Sequence, residues 1–292
     1  MQTSIKIENL CKKYQEFELN NVSFSLPMGS IMGFIGENGA GKTTTIKSIL
    51  NLIHKNDGSI TIFEKDHIKH EKEIKQDIGI VLDECMFPEN LNAKQIPLIL
   101  KNIYHNWDNH LYGQYITRFK LPMNKAVKEF SKGMKMKLAI ACALAHKPKL
   151  LILDEATSGL DPVVRSEILD VFLEFIQDEQ HSILLSSHIT SDLEKIADYI
   201  TFIHEGKIVF STDKDTILYE YGMLKCTTAD LQHIDNNDII TYHKNDFSCE
   251  ALIKDKARFQ SKYPSLVVDS VNLEDIMLML VKGNKVTQSL FD

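Results

Sequence analysis

Two short stretches, far apart in the chain, combine the residue types that bind phosphate and divalent cations. Residues 36–44 read GENGAGKTT, and residues 150–155 read LLILDE. Glycines let successive backbone N–H groups turn toward an anion, and the lysine and hydroxyl after them extend to phosphate and Mg²⁺. An acidic pair after an apolar run supplies carboxylates for a metal and for a water molecule. The two stretches together predict a nucleoside triphosphate site.

In the first stretch, the lysine and the two threonines have separate expected roles. Lys42 is expected to reach the β- and γ-phosphates, the Thr43 hydroxyl to hold Mg²⁺, and Thr44 to help with the α-phosphate. A chance glycine-rich turn is the alternative, and the strand-like and helix-like flanks disfavour it. Gly36, Gly39 and Gly41 open the loop, and the phosphate-facing N–H groups are expected from Asn38, Gly39, Ala40, Gly41, Lys42 and Thr43.

In the second stretch, Asp154 is expected to bind Mg²⁺ through water and Glu155 to polarise the attacking water. The apolar run before them is typical of a central parallel strand that is buried on both faces. A carboxylate at the carboxyl end of such a strand faces the ligand crevice. A strand that ends in an acidic pair is weak evidence alone, and the phosphate loop makes it strong.

The segments around these residues predict the elements that position them. IMGFI at 31–35 is expected to be a buried strand, and Ile46, Ile49, Leu50 and Ile53 then recur at helical spacing. Asp161-Pro162 indicates a helix start, with Asp as N-cap and Pro at the first helical position. HSILLSSH at 181–188 is a further short strand, ending in His188. Alternating strands and helices predict an α/β fold.

Composition limits the protein classes. The 292 residues are 43% hydrophobic and 25% charged with a net charge of -7, which is typical of a globular protein and argues against a general nucleic-acid binder. Eighteen apolar residues never run together, and the first ten residues lack a secretory signal pattern, so neither a membrane span nor a signal is expected. Five scattered cysteines are expected to be reduced thiols: Cys11, Cys85, Cys142, Cys226 and Cys249.

The order of five motifs resembles one family. GENGAGKTT, FSKGM, LLILDE, SGLD and the final His of SSH resemble the nucleotide-binding subunit of ATP-binding-cassette (ABC) transporters over roughly residues 4–212. The resemblance implies a P-loop NTPase fold with a RecA-like core, an antiparallel β subdomain and a helical subdomain at about 86–148. The cassette is expected at 1–212, followed by a small α+β appendage at 213–292.

The resemblance also implies roles for single residues. Tyr14 lies where the family places an aromatic ring on adenine, and His188 matches the switch histidine that contacts the γ-phosphate and the attacking water. Ser131 and Gly133 belong to the signature loop, FSKGM, which covers the nucleotide on another subunit. Asp161 closes the D-loop, SGLD, which touches that subunit.

The family's mechanism implies which cofactors and partners to expect. Its active unit is a head-to-tail pair of cassettes with two ATP molecules between them, bound with Mg²⁺, and hydrolysis drives transport through separate transmembrane subunits. We therefore expect an ATPase on the cytoplasmic face of the membrane. The segment FSKGMKMKLA resembles the corresponding segment of bacterial exporters of peptides or drugs, and one type of these exports phenol-soluble modulins.

Some positions depart from the family's common pattern, and some alternatives stay open. Lys132 and Met134 replace a glycine and a glutamine of the signature loop, and Asp83 stands where a glutamine usually joins the ATP site to the membrane partner. Asp83 is either functional or a strand-end acid. Lys132 and Lys135 are expected to add positive charge near a partner's phosphate. The open alternatives are an ABC-type ATPase without transport, one half of an asymmetric heterodimer and a small-molecule kinase.

Overall fold

A computed structural model describes residues 2–83, 87–244 and 248–285 of the chain, which divides into two compact units between Ser211 and Thr212. The elements up to the boundary, in chain order, are β1 (Thr3–Lys13), β2 (Glu18–Pro27), β3 (Ile31–Ile35), α1 (Lys42–Ile49), β4 (Asp57–Ile62), β5 (Lys65–Asp66), α2 (Glu71–Gln76), β6 (Ile78–Val81), α3 (Ile96–Leu100), α4 (Asn109–Arg118), α5 (Lys132–Leu144), β7 (Leu150–Asp154), α6 (Pro162–Phe175), β8 (Ser182–Ser187), α7 (Thr190–Ile196), β9 (Tyr199–His204) and β10 (Lys207–Asp213), whose last two residues lie past the boundary.

A six-stranded sheet in the order β10-β9-β3-β8-β7-β6 carries both predicted phosphate-site segments. Its neighbouring strands from β9 to β6 pair in parallel, and every residue of β3, β7 and β8 is buried. Continuous apolar runs suit strands that are covered on both faces, so the three strands were predicted correctly. Strand β8 lies between β3 and β7, which brings the carboxyl ends of the three strands to one edge.

An antiparallel sheet in the order β2-β1-β4-β5 shares its core with the parallel sheet. Leu19 and Leu26 of β2 belong to the same buried cluster as Phe34 of β3, and the Phe24 and Phe34 rings lie 5.3 Å apart between centroids. The antiparallel sheet therefore supports the strand that precedes the phosphate loop.

Helix α1 is shorter than its apolar spacing predicts. It ends at Ile49, with Leu50 as C-cap, and Ile53 lies beyond it. Asn51 adopts a left-handed conformation with φ 53°, its N–H donates to the Ser48 oxygen, and the N–H of Leu52 donates to Lys47. This pair of bonds is the Schellman arrangement, which satisfies carbonyls at a helix end and stops the helix.

Helix α5 begins as predicted, with Ser131 as its N-cap. The expected apolar stripe of Leu138, Ala141, Cys142 and Ala145 is buried. Helices α3 and α4 and a 3₁₀ turn at Val127–Glu129 precede it, in the segment expected to be helical. Residue 86, where that segment was expected to begin, lies outside the described residues.

The second unit contains α8 (Lys214–Glu220), β11 (Gly222–Cys226), α9 (Thr228–Gln232), β12 (Thr241–Lys244), β13 (Cys249–Ile253), α10 (Lys256–Lys262), β14 (Val268–Asp269), α11 (Leu273–Lys282) and β15 (Asn284–Lys285). Its sheet has the order β14-β11-β13-β12-β15, and the pairs are antiparallel. From β11 to β14 the chain runs β-α-β-β-α-β, which is the ferredoxin-like arrangement. Leu231 of α9 and Phe259 of α10 share a buried cluster with residues of β11 and β13.

The described helices and cysteines agree with the expectations from composition. No helix in the described ranges is long and apolar enough to span a membrane. Of the five cysteines, Cys11, Cys142, Cys226 and Cys249 form no disulfide within the described part of the chain, and Cys85 lies outside the described residues. Burial is the main cause that raises the pKa of Cys226, to about 11.

Candidate functional site

A cavity of about 470 Å³ opens where β3 and β7 end. Strands β3 and β8 pair up to Ile35 and Ser187, and β7 and β8 pair up to Asp154 and Ser186. This register brings the loop after β3 beside the carboxylates after β7. The cavity is lined by Phe17, Glu37, Asn38, Gly39, Gly41, Lys42, Thr43, Thr44, Asp83, Asp154 and Glu155.

The side chain of Lys42 lies at the centre of the glycine-rich loop. Its ammonium donates to the backbone oxygen of Gly36 at 2.7 Å and of Glu37 at 3.2 Å, and the residue is 5% exposed. The tight turn depends on left-handed backbone at Gly39 and Gly41, with φ 84° and 117°. A buried ammonium forms strong charge-assisted hydrogen bonds to phosphate oxygens.

Thr43 and Asp154 form a compact set of oxygen donors. The Thr43 hydroxyl donates to Asp154 Oδ2 at 2.9 Å, and the Ser186 hydroxyl donates to Asp154 Oδ1 at 2.7 Å. Asp154 is 4% exposed, so these bonds hold its carboxylate in one orientation. A hydroxyl and one carboxylate are the ligands that Mg²⁺ takes from a protein when phosphates supply others.

Glu155 bridges Lys42 and His188. One carboxylate oxygen, Oε1, lies 3.3 Å from the Lys42 ammonium, and the other, Oε2, lies 2.6 Å from His188 Nδ1. The backbone of Glu155 is left-handed, with φ 55°, and its N–H donates to the Ser186 oxygen at 3.0 Å. A non-glycine residue in this conformation is strained, and such strain is concentrated at functional sites.

The predicted adenine-stacking residue does not line the described cavity. Tyr14 is 47% exposed, and its ring lies 5.1 Å from the Lys12 ammonium. The Tyr14 N–H donates to the backbone oxygen of Phe17 at 2.8 Å, and Phe17 is the aromatic residue of this turn that lines the cavity. Sequence reasoning missed Phe17, which lies outside the motif and has no spacing signal.

The residues assigned to the contact with another subunit lie outside the described cavity lining. The Ser131 hydroxyl accepts from the N–H of Met134 at 3.2 Å and caps α5. The Asp161 carboxylate accepts from the N–H groups of Val163 and Val164 at 3.1 and 3.0 Å and caps α6, so the predicted helix start is correct. Gly133 follows on the first turn of α5.

Two further residues support the site without having appeared in the sequence analysis as site residues. Ser186 orients Asp154, and its only signal was its place at the end of an apolar strand. Gly206, in the turn between β9 and β10, donates its N–H to the oxygen of Ala40 in the phosphate loop at 3.0 Å and accepts at its oxygen from Asn20 N–H at 2.9 Å. The turn of the β9–β10 hairpin thus links the phosphate loop to β2 by hydrogen bonds.

Comparisons with known proteins agree with the geometry of the site. A family model described as "ABC transporter" matches residues 19–158. The bacitracin transport ATP-binding protein BcrA of Bacillus licheniformis is 38% identical over 212 residues, which cover 72% of this chain and 69% of that protein. The lantibiotic transport ATP-binding protein SrtF of Streptococcus pyogenes is 36% identical over 214 residues, which cover 72% and 91%.

A solved structure titled as the ATP binding subunit of an ABC transporter superposes with a TM-score of 0.67 at 27% identity, covering 74% of this chain and 92% of the other. The α/β P-loop NTPase fold expected from the motifs is therefore confirmed. The cavity holds a phosphate-loop lysine, an oxygen donor set for a cation and a glutamate beside a histidine. The chain belongs to the ABC transporter family and is an ATP-binding subunit of that family, an ATPase coupled to transport.

Proposed function

We propose that this chain powers the export of antimicrobial peptides or drugs through separate transmembrane subunits, from the cytoplasmic face of the membrane. The observation that supports an energy-supplying role is the meeting of Lys42, Thr43, Asp154 and Glu155 in one cavity, with His188 bonded to Glu155. The cargo class follows the two relatives whose names specify bacitracin and lantibiotic transport.

Mg²⁺ is proposed to bind at Thr43 and Asp154. Their oxygens lie 2.9 Å apart, and the second oxygen of Asp154 is held by Ser186, which leaves a fixed pair of hard ligands beside the phosphate loop. Mg²⁺ would neutralise phosphate charge when bound with ATP. Lys42 and the N–H groups at the start of α1 would hold the phosphate oxygens.

Glu155 is proposed as the general base for the attacking water. His188 Nδ1 lies 2.6 Å from its carboxylate, so the imidazole fixes the carboxylate's rotamer and can hold a proton next to the reacting water. The strained backbone at Glu155 supports the same role, because the strain orients the carboxylate toward the cavity and away from the preceding strand.

A second copy, or another cassette, is proposed to complete the site with its Ser131 and Gly133. Ser131 is exposed at the N-terminus of the 13-residue helix α5, where the dipole and free N–H groups favour an anion. A Cβ added at Gly133 would have its nearest neighbour in this subunit at an ordinary 3.4 Å. The subunit's own packing therefore does not require glycine there, which supports a close approach from outside.

A transmembrane partner is proposed to dock on the segment around α3. The five-residue helix α3 and the residues after it carry three exposed aliphatic side chains. These are Leu98, Ile99 and Ile103, which are 58%, 47% and 52% exposed. Adjacent exposed aliphatic side chains of this kind suit a helix-in-groove contact. Asp83, which precedes this segment in the chain and lines the nucleotide cavity, would couple nucleotide binding to the contact with the partner.

The dimer is tested by Ser131→Arg in a Glu155→Gln chain, in which slowed hydrolysis is expected to trap the closed pair. The bulky cation should leave ATP binding to the monomer intact and abolish the ATP-dependent dimer in sedimentation experiments. Ser131→Ala is one control: it removes the helix cap, which costs about 1 kcal/mol of stability, and adds no large side chain. Thr117→Arg is the other, because it places an arginine on an exposed position of α4. Thr117→Arg should leave the dimer intact, and Ser131→Ala should weaken it much less than Ser131→Arg does. An unchanged dimer in the Ser131→Arg chain would rule out this role for the signature loop.

Transport is tested by affinity purification of the full chain from detergent-solubilised membranes. An integral membrane protein is expected to co-purify, and cells lacking the chain should become more sensitive to antimicrobial peptides. Co-purification of ribosomes or DNA instead would favour the ATPase without transport. A second cassette in the complex would establish the heterodimer.

A further inference from the structure

Two residues that depart from the family's common pattern contact each other in this structure. Asp83 follows β6 and lines the nucleotide cavity, and Lys132 is the first residue of α5. The Lys132 ammonium lies 3.2 Å from Asp83 Oδ1, with the two side chains 50% and 53% exposed. An ion pair therefore links the nucleotide cavity of a subunit to its own signature loop, 49 residues further along the chain.

The D-loop also lies beside Lys132. Gly159 has φ 68°, and a Cβ built on it would lie 3.3 Å from the Lys132 ammonium and 3.8 Å from its Cδ and Cε. The absence of a side chain at this position gives the lysine room to reach Asp83. Asp83, the signature loop and the D-loop therefore meet at Lys132.

The electrostatics of α5 make the contact reversible. Lys132 and Lys135 lie in the first turn, where the helix dipole is positive, and the first turn contains no acidic residue. Asp83 compensates this unfavourable charge from outside the helix. A half-exposed ion pair is weak, and a nucleotide phosphate carries more charge than a carboxylate, so phosphate at the helix N-terminus can displace Asp83.

We propose that Lys132 exchanges partners: it binds Asp83 in the isolated subunit and the phosphates of the opposing nucleotide in the closed pair. The exchange rests on the dimer proposed above. Asp83 then restrains closure, because the lysine must leave it, and the restraint connects the subunit's own cavity to the signature loop that covers the other one.

The exchange predicts non-additive effects on the ATP-dependent dimer. Replacing Asp83 by Asn should release Lys132 and lower the dimer dissociation constant roughly two- to fivefold, the range for an exposed ion pair. The same replacement should have no effect in a K132Q background, because no ammonium remains to be released. Lys132→Gln alone should weaken the dimer.

The test is a double-mutant cycle of D83N and K132Q in the E155Q chain, measured by sedimentation at saturating ATP. Saturation removes any change in the subunit's own ATP affinity that the lost carboxylate causes. K135Q is the matched control, since it removes the same charge from the same turn and Lys135 has no ion pair among the described residues. D83N should be as effective in the K135Q background as in the parent. An equal effect of D83N in the K132Q and parent backgrounds overturns the exchange.

A second measurement, on the full chain without nucleotide, separates this proposal from the dimer. Pulsed acylation with mass spectrometry should modify Lys132 about two- to fivefold faster in D83N than in the parent, with Lys135 unchanged. If this holds but no dimer forms with ATP, the pair exists and the proposed dimer is wrong, so the exchange fails with it. If the dimer forms but the Lys132 rate does not change, the dimer stands and the exchange is overturned.

Discussion

Replacing Glu155 by Gln should tighten ATP binding as well as stop turnover. The Glu155 carboxylate lies 3.3 Å from the Lys42 ammonium, and the side chains are only 14% and 6% exposed. Incoming phosphate must therefore compete with Glu155 for the ammonium of the loop. The glutamine would keep the shape of the side chain and remove the competing charge, while the loss of the general base should lower hydrolysis about 10²–10⁴-fold.

The size of the binding effect follows from the distance. At 3.3 Å and an effective dielectric constant of about 20, the Coulomb energy of the pair is about 5 kcal/mol. Most of this is offset by the desolvation of both groups and by the contacts that Lys42 keeps with the Gly36 and Glu37 carbonyls. A net gain of about 1.5 kcal/mol, the lower end for a hydrogen bond to a charged group, corresponds to a roughly tenfold lower Kd for ATP.

The assay is titration of a fluorescent ATP analogue without Mg²⁺, at protein concentrations where the chain is monomeric. Glu37→Gln is the matched control, because Glu37 lines the same cavity, is 51% exposed and contacts Lys42 only through its backbone oxygen. It should change Kd less than about twofold, since an exposed charge is screened. Equal tightening by the two variants would mean general repulsion of phosphate by carboxylates, and no tightening in E155Q would refute the competition for Lys42.

Three further predictions concern stability and reactivity. Gly206→Ala should destabilise the chain by about 3 kcal/mol, because φ is 71° and the added Cβ would lie 1.9 Å from the Glu18 oxygen. An unchanged Tm by calorimetry would contradict this close packing of Gly206 against β2. Burial is the main cause that lowers the pKa of His146 in the folded chain. The free energy of unfolding should therefore be highest above pH about 6.5 and decrease below it, because there the unfolded state binds a proton that the folded state does not. Urea titrations at pH 7.5 and 5.5 should show a smaller loss in H146Q. Burial raises the pKa of Cys226 to about 11, so maleimide at pH 8 should modify the half-buried Cys11 well before it, and C11S should remove that fast label.

The sequence predicted the parts of the site that short-range chemistry determines. The glycines, Lys42 and Thr43 are neighbours in the chain, and the apolar runs before Asp154 and His188 are long enough to predict buried strands. The rule that parallel strands present their carboxyl ends at one edge then brings these residues together. Helix α1 was predicted too long because apolar spacing continues to Ile53, whereas the left-handed Asn51 ends the helix four residues earlier.

Contacts between distant segments were outside the reach of sequence reasoning. Phe17 lines the cavity because the turn after β1 folds toward the phosphate loop, and no periodicity marks it. Asp83 and Lys132 show the limit most clearly. Each was recognised as a departure from the family's pattern, and neither residue alone indicated the other as its partner. Only the parallel pairing of β6 with β7 and the position of α5 beside β6 bring the two charges within 3.2 Å. The acid that replaces the glutamine and the lysine that replaces the glycine then form one compensated pair. Reverting Asp83 alone should therefore strengthen the ATP-dependent dimer, and reverting Lys132 alone should weaken it.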